Sequence, residues 1–183
     1  MHGLWLTEEQ ARRIAQHALE AAPNEACGMI GGQGEQARRI IPVPNVASDP
    51  RRCYTLDPET MARAWGELRA SGLEVIGFYH SHPDGNPLPS KSDIALATYP
   101  DTAYLIVGLK DGAPDLAAWK IDHGEVHHLP LYVGDGPPPE ALYPTTPAQR
   151  AAIIASGLLA LVVTLVIALS LLPPAPEIMS TLP

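Results

Sequence analysis

This sequence predicts a mixed α/β domain with a central, mostly antiparallel sheet flanked by helices, followed by one C-terminal transmembrane helix. Three features carry that reading. Short apolar runs rich in strand-favouring residues, such as Val75–Tyr79 and Thr102–Leu109, recur between turn residues, the pattern of buried strands. Two stretches of helical periodicity begin at the capping residues Thr7 and Asp57. Residues 151–172 hold no charged side chain. As a helix they would rise about 33 Å, against a hydrocarbon core of about 30 Å.

Taken in order, Met1–Leu6 lacks a basic leader and a long apolar core, so it does not read as a secretory signal. Thr7 caps the first helix with Gln10 in the capping-box position, and Ala11, Ile14, Ala15, Ala18 and Ala22 recur at helical spacing up to Pro23. Ala26–Gly31 and Ala37–Val43 read as a strand pair around the turn Gly31-Gly32-Gln33-Gly34. That glycine cluster lacks the Lys-Ser/Thr ending of a phosphate-binding loop, which favours a hairpin turn. Pro42–Asn45 opens a loop, and Cys53–Leu56 reads as a short strand. Asp57 and Pro58 start the second helix, Met61, Ala64, Trp65 and Leu68 form its buried stripe, and Gly72 stops it.

Val75–Tyr79 runs as a strand into His80, and Pro83 ends it. Asp84–Pro89 is a turn-rich loop, and Ser90 opens a further helix. Thr102–Leu109, Leu116–Ile121 and Val126–Val133 complete the sheet, with turns at Asp111-Gly112 and His123-Gly124. Residues 1–133 are thus the domain, the proline-rich 134–150 a semi-rigid spacer, 151–172 the span and 173–183 a short tail.

Composition narrows the function. The net charge is −8 and no run of Lys or Arg exceeds the isolated pairs Arg12-Arg13, Arg38-Arg39 and Arg51-Arg52, which argues against a nucleic-acid surface built on clustered cations. Two cysteines, Cys27 and Cys53, form no disulfide framework and suit a reducing compartment. Cys27 reads as a small buried hydrophobe. Arg150 flanks the span and the tail has no Lys or Arg, so the positive-inside rule places the domain in the cytoplasm.

The chemistry gathers in His80-Ser81-His82-Pro83, followed by Ser90 and Asp93. Alternation puts His80 and His82 on one strand face and Ser81 on the other. The loop is long enough to return Asp93 to the histidines. Three ligands with an open fourth position make a catalytic zinc site, and hence hydrolysis by a metal-activated water. Each residue alone has a plainer reading. A lone histidine is more often a core residue, and Ser90 with Asp93 is also a capping box. Glu25 on its surroundings is a solvated residue at a helix C-terminal turn. His123, His127 and His128 lack a carboxylate or cysteine partner at a sensible spacing and read as a hairpin tip.

The pattern H-x-H-P-x6-S-x-x-D resembles the signature of the JAMM (MPN+) metallopeptidases position for position. Pro23-Asn24-Glu25-Ala26-Cys27-Gly28 is similar to the family's upstream P-x-E-x-C-G segment. The resemblance covers residues 4–132 and points to the small prokaryotic branch. It implies the JAMM/MPN fold, which is cytidine deaminase-like, and one Zn2+ per chain. It implies His80, His82 and Asp93 as ligands, Glu25 as general acid/base and Ser90 as transition-state stabiliser. It implies hydrolysis of a peptide or isopeptide bond after the Gly-Gly tail of a ubiquitin-like or sulfur-carrier protein. Two rivals are an MPN scaffold with little catalysis and a RadC-like protein. All five motif positions are present, which weighs against the first. The Glu25 segment, the acidic charge and the span weigh against the second.

Overall fold

Eight strands form one sheet in the order β7-β6-β5-β4-β2-β3-β1-β8. They are β1 Leu4–Leu6, β2 Cys27–Gln33, β3 Gln36–Val43, β4 Glu74–His82, β5 Ala103–Gly108, β6 Asp115–Asp122, β7 Glu125–Leu129 and β8 Leu131–Val133. The helices are α1 Glu8–Ala21, α2 Pro58–Ala70, α3 Lys91–Leu96 and α4 Pro147–Ser170. This computed structural model describes residues 1–110, 112–136, 138 and 147–171. The chain divides into two units, the first holding the sheet with α1–α3 and the second holding α4. Four strand pairings are antiparallel (β2–β3, β2–β4, β5–β6, β6–β7) and three parallel (β1–β3, β1–β8, β4–β5). The sheet is mixed and mostly antiparallel, as the sequence predicts.

Alternation along the strands sends side chains to two faces, and each face has its own core. Ile30, Ile76, Tyr79, Leu105 and Val107 pack with Ile14 and Ala18 of α1. Met29 and Phe78 pack with Ala64 of α2, flanked by Trp65 and Tyr99. Both helices start where the sequence places them. Thr7 and Gln10 exchange the two capping-box bonds, and the Asp57 carboxylate accepts from the Thr60 N–H at 2.8 Å.

Four local features differ from the sequence reading. Gly31 and Gly32 belong to β2 itself, and the turn falls at Gly34-Glu35. Close packing explains the shift: a Cβ on Gly31 would stand 2.1 Å from a Leu68 methyl, and one on Gly32 would stand 2.2 Å from the Gln36 carbonyl. Cys53–Leu56 is not a strand. It contributes a single bridge, Asn45 to Leu56, to a loop tied down by side chains. Leu4–Leu6 is an extra strand that begins from Pro130, whose carbonyl accepts the Leu4 N–H.

Val126–Val133 is two strands rather than one. Pro130 separates β7, which pairs β6, from β8, which pairs β1 at the opposite end of the sheet order. Two residues of chain reach only about 7 Å, so the two sheet edges converge at Pro130.

The second unit is α4. Its stretch Ala151–Ser170 is long and apolar enough to cross a membrane. The helix begins at Pro147, so the last four positions of the expected spacer are helical. Residues 137 and 139–146 of that spacer, Leu172 and the tail 173–183 lie outside the described residues.

Candidate metal centre

The centre lies where β4 leaves the sheet, on the face that α2 covers. His80 and His82 are two residues apart on β4 and so share that face, with Ser81 on the other. Pairing of β2 with β4 sets Cys27 opposite His80. Continuing that register by two residues sets Glu25 opposite His82, and directly opposed residues point to the same face. Two bonds extend the register past the strand end. The Ser81 N–H donates to the Ala26 carbonyl at 2.9 Å, and the Ala26 N–H donates to Ser81 Oγ at 2.8 Å. Ser81, fully buried, thereby fixes the glutamate segment against the histidine pair.

Asp93 returns by way of residues 83–90. Pro83 cannot extend the ladder, and the loop folds over Gly108, the residue opposite His82 on β5. A Cβ there would stand 2.7 Å from the Pro87 ring. Trp119 Nε1 donates to the Pro87 carbonyl at 2.8 Å and holds the loop down. Ser90 then caps α3. The Ser90 N–H donates to Asp93 Oδ2 at 2.7 Å, and the Asp93 N–H donates to Ser90 Oγ at 3.2 Å. The cap sets Asp93 in the first turn with its carboxylate turned toward the histidines.

Three donor groups converge here. His80 Nε2 and His82 Nε2 lie 3.0 Å apart. Asp93 Oδ1 is 3.4 Å from His80 Nε2, and Oδ2 is 3.3 Å from His82 Nε2. Two donors on one tetrahedral zinc, each at about 2.0–2.1 Å, stand roughly 3.3 Å apart. The three separations therefore suit a single shared ion, and the His80, His82 and Asp93 donor atoms are the group that could hold a metal among the described residues. His82 Nδ1 meets the Asn86 carbonyl at 3.0 Å, which puts the ring proton on Nδ1 and leaves Nε2 free as a donor atom. The Tyr54 ring stacks on His80 with centroids 4.3 Å apart and planes 20° apart, fixing the imidazole from its other side.

Charge at the site follows from burial and neighbours. Burial lowers His80 below its ordinary value, which keeps the imidazole neutral. Burial alone would raise Asp93, but the bonds to His80, His82 and Ser90 outweigh it and hold the carboxyl well below the usual range. Burial pushes Glu25 up to about 7, with His82 and Asp93 close enough to act on it in opposite senses. Its Oε2 is buried without a hydrogen-bond partner. An unpartnered buried carboxylate oxygen costs free energy unless something at the site donates to it. A water beside a bound cation would do so. Cys27 is pushed up to about 12 by burial and then by Glu25, so it is an inert thiol, donating to the Val43 carbonyl.

Beside Asp93 and Ser92 opens a cavity of about 220 Å³ walled by Tyr54, Leu56, Phe78, Leu96, Tyr99 and Tyr104. The structure thus brings together four of the five residues singled out in the sequence, with Ser90 as the cap beneath Asp93. Ser81, Asn86 and Tyr54 were not singled out, and only the alternation that set Ser81 apart from the histidines signalled any of them. His123, His127 and His128 stand exposed at the β6–β7 hairpin.

Comparison with known proteins agrees with this geometry. The family described as prokaryotic homologs of the JAB domain matches residues 7–122. The chain belongs to this family. Among JAB-domain relatives, it is 37% identical to a desampylase of Haloferax volcanii, over 65% of this chain and 89% of that one. It is 32% identical to a CysO-cysteine peptidase of Mycobacterium tuberculosis, over 64% of this chain and 82% of the relative. The solution structure of a Desulfitobacterium hafniense protein superposes with a TM-score of 0.66 at 30% identity, covering 73% of this chain and 94% of that one. This JAB-domain protein is a zinc-dependent metallopeptidase of the JAMM type, and its cofactor is one Zn2+.

Proposed function

We propose that this chain is a membrane-anchored metallopeptidase that cleaves a peptide or isopeptide bond after the C-terminal Gly-Gly tail of a ubiquitin-like or sulfur-carrier protein. The observation that carries the reading is the orphaned, buried Glu25 oxygen on the sheet face of His80 and His82, where Asp93 of α3 joins them. His80, His82 and Asp93 hold the ion. When bound, it supplies a Lewis acid that polarises the scissile carbonyl and acidifies a water.

Glu25 takes the proton of the attacking water and passes it to the leaving amine. Ser90 Oγ accepts from the Asp93 N–H and lies 2.8 Å from Ser92 Oγ. With Ser92 donating to it, both Ser90 lone pairs are engaged and its own proton is free to meet the oxyanion. The aromatic cavity beside Asp93, walled in part by Tyr54, suits an apolar segment of a substrate. The relatives named a desampylase and a CysO-cysteine peptidase support this substrate class.

Residues 1–133 form the peptidase domain, 134–150 the spacer, 151–172 the span and 173–183 the tail, with the domain in the cytoplasm. The helix Ala151–Ser170 supports the anchor.

The test uses the full chain in detergent with ubiquitin-like carriers extended beyond Gly-Gly. Cleavage after the second glycine, abolished by a chelator and restored by zinc, is the expected result. Glu25→Gln should keep one zinc and the melting temperature while losing about 10²–10⁴-fold in kcat. Zinc-loaded chain that cleaves no carrier, or a Glu25→Gln variant of full activity, would sink the reading.

A further inference from the structure

Between β3 and α2 the chain makes a strap, residues 45–56, whose two ends lie side by side. The Val46 N–H donates to the Thr55 carbonyl at 2.8 Å, and the Asp57 N–H donates to the Pro44 carbonyl at 3.0 Å. The sequence alone assigns this segment a loop and a short strand but no part in the site. One side chain organises it. Asn45 Nδ2 donates to the Glu25 carbonyl at 3.0 Å and to the Cys53 carbonyl at 3.1 Å. Asn45 Oδ1 accepts from the Ala47 N–H and the Thr55 N–H, each at 3.0 Å. Both amide protons and both oxygen lone pairs are engaged, the full capacity of the group.

What these bonds reach matters more than their number. The Glu25 carbonyl is held by Asn45, and the Glu25 N–H donates to the Pro50 carbonyl of the same strap at 2.7 Å. Both backbone groups of the general base therefore end on the strap. At the strap's far end Cys53 and Thr55, two more of the backbone partners of Asn45, flank Tyr54, whose ring lies on His80. A single amide thus ties the backbone of the base to the aromatic cover of the metal site.

No other side chain meets these four demands. Aspartate keeps the acceptor but turns a carboxylate oxygen toward two carbonyls. Alanine keeps none of the bonds. Glutamine carries the amide one methylene too far.

We propose that Asn45 is a positioning residue of this site, setting Glu25 and Tyr54 relative to His80 through one fully bonded amide. The inference rests on the proposed peptidase function for its kinetic consequence only. Displacing a reacting group by about 1 Å costs up to about 10²-fold in rate.

The experiment compares the full chain with Asn45→Asp and Asn45→Ala. Arg51 and Arg52 are exposed in the strap, so trypsin reads its looseness without reference to activity. Asn45→Asp is expected to be nicked there at least about 5-fold faster than the parent while still binding one zinc. Its kcat should fall about 10–100-fold with KM within about 2-fold. Placed on Glu25→Gln, the same change should lower the residual rate by less than about 2-fold, because the group it positions is gone.

Asn45→Ala should show the same pattern more strongly. If it fails to fold, the near-isosteric aspartate variant decides. Unchanged nicking in Asn45→Asp, an unchanged kcat, or an equal further loss on the Glu25→Gln background would each overturn the inference. A parent that binds zinc and cleaves nothing defeats the peptidase reading instead, and the nicking rate then decides alone.

Discussion

Asp93 is placed for two tasks that the sequence presents as rivals. Ser-x-x-Asp is a capping box by spacing, and the same aspartate is a metal ligand by resemblance. The carboxylate is placed for both. Oδ2 accepts the Ser90 N–H at 2.7 Å, while Oδ1 and Oδ2 face His80 and His82 at 3.4 and 3.3 Å. The cap thus aims the ligand, and the two roles separate by substitution. Asp93→Asn keeps an oxygen for the Ser90 N–H but loses the charge and one donor oxygen. The metal-free chain should melt close to the parent while zinc affinity falls at least about 10–100-fold. Asp93→Ala should lose the affinity and, in addition, about 1 kcal/mol of stability with the cap. Zinc competition and thermal melting of the metal-free chains check both. Wild-type affinity in Asp93→Asn would remove Asp93 from the ligand set.

Elements place these residues, and their legibility divides by range. The caps of α1, α2 and α3 are local signals and read directly from Thr7, Asp57 and Ser90. The face shared by His80 and His82 follows from strand alternation alone. Glu25 does not: its position opposite His82 depends on the β2–β4 register, a pairing across more than fifty residues that no local pattern encodes. The return of Asp93 is equally non-local, because Gly108 on the neighbouring strand must lack a side chain for Pro87 to lie over it. Gly108→Val should lift this loop, break the Trp119 to Pro87 bond and weaken zinc binding about 10–100-fold. Gly66 on α2, where an added Cβ meets nothing within 4 Å, is the control. Gly66→Ala should leave zinc binding alone and stabilise the chain by roughly 0.5–1 kcal/mol. A chelator titration on both variants separates the outcomes, and unaltered affinity in Gly108→Val would show that the loop reaches its place without that close approach.

At the scale of the molecule, the break at Pro130 turns a sheet with two distant edges into one whose edges meet, so β7 and β8 sit at opposite ends of the strand order yet two residues apart in sequence. A proline inside an apolar run signals such a break, but not that the next strand joins the far edge, which depends on β1 being there. α4 follows a different logic. Ile153, Leu158, Leu161, Val162 and Leu165 are all exposed, and an exposed helix apolar on every side is unfavourable in water. Its polar side chains suit hydrocarbon: the Ser156, Thr164 and Ser170 hydroxyls donate to carbonyls of their own helix. The twenty residues Ala151–Ser170 rise about 30 Å, the thickness of a hydrocarbon core. The full chain should therefore remain with membranes through an alkaline carbonate wash. Leu161→Lys together with Leu165→Lys, each costing about 2.5–3.5 kcal/mol at the centre of a span, should release it into the soluble fraction with zinc still bound. Release of the unaltered chain by carbonate would mean that α4 does not cross a bilayer and that its apolar surface is covered by protein instead.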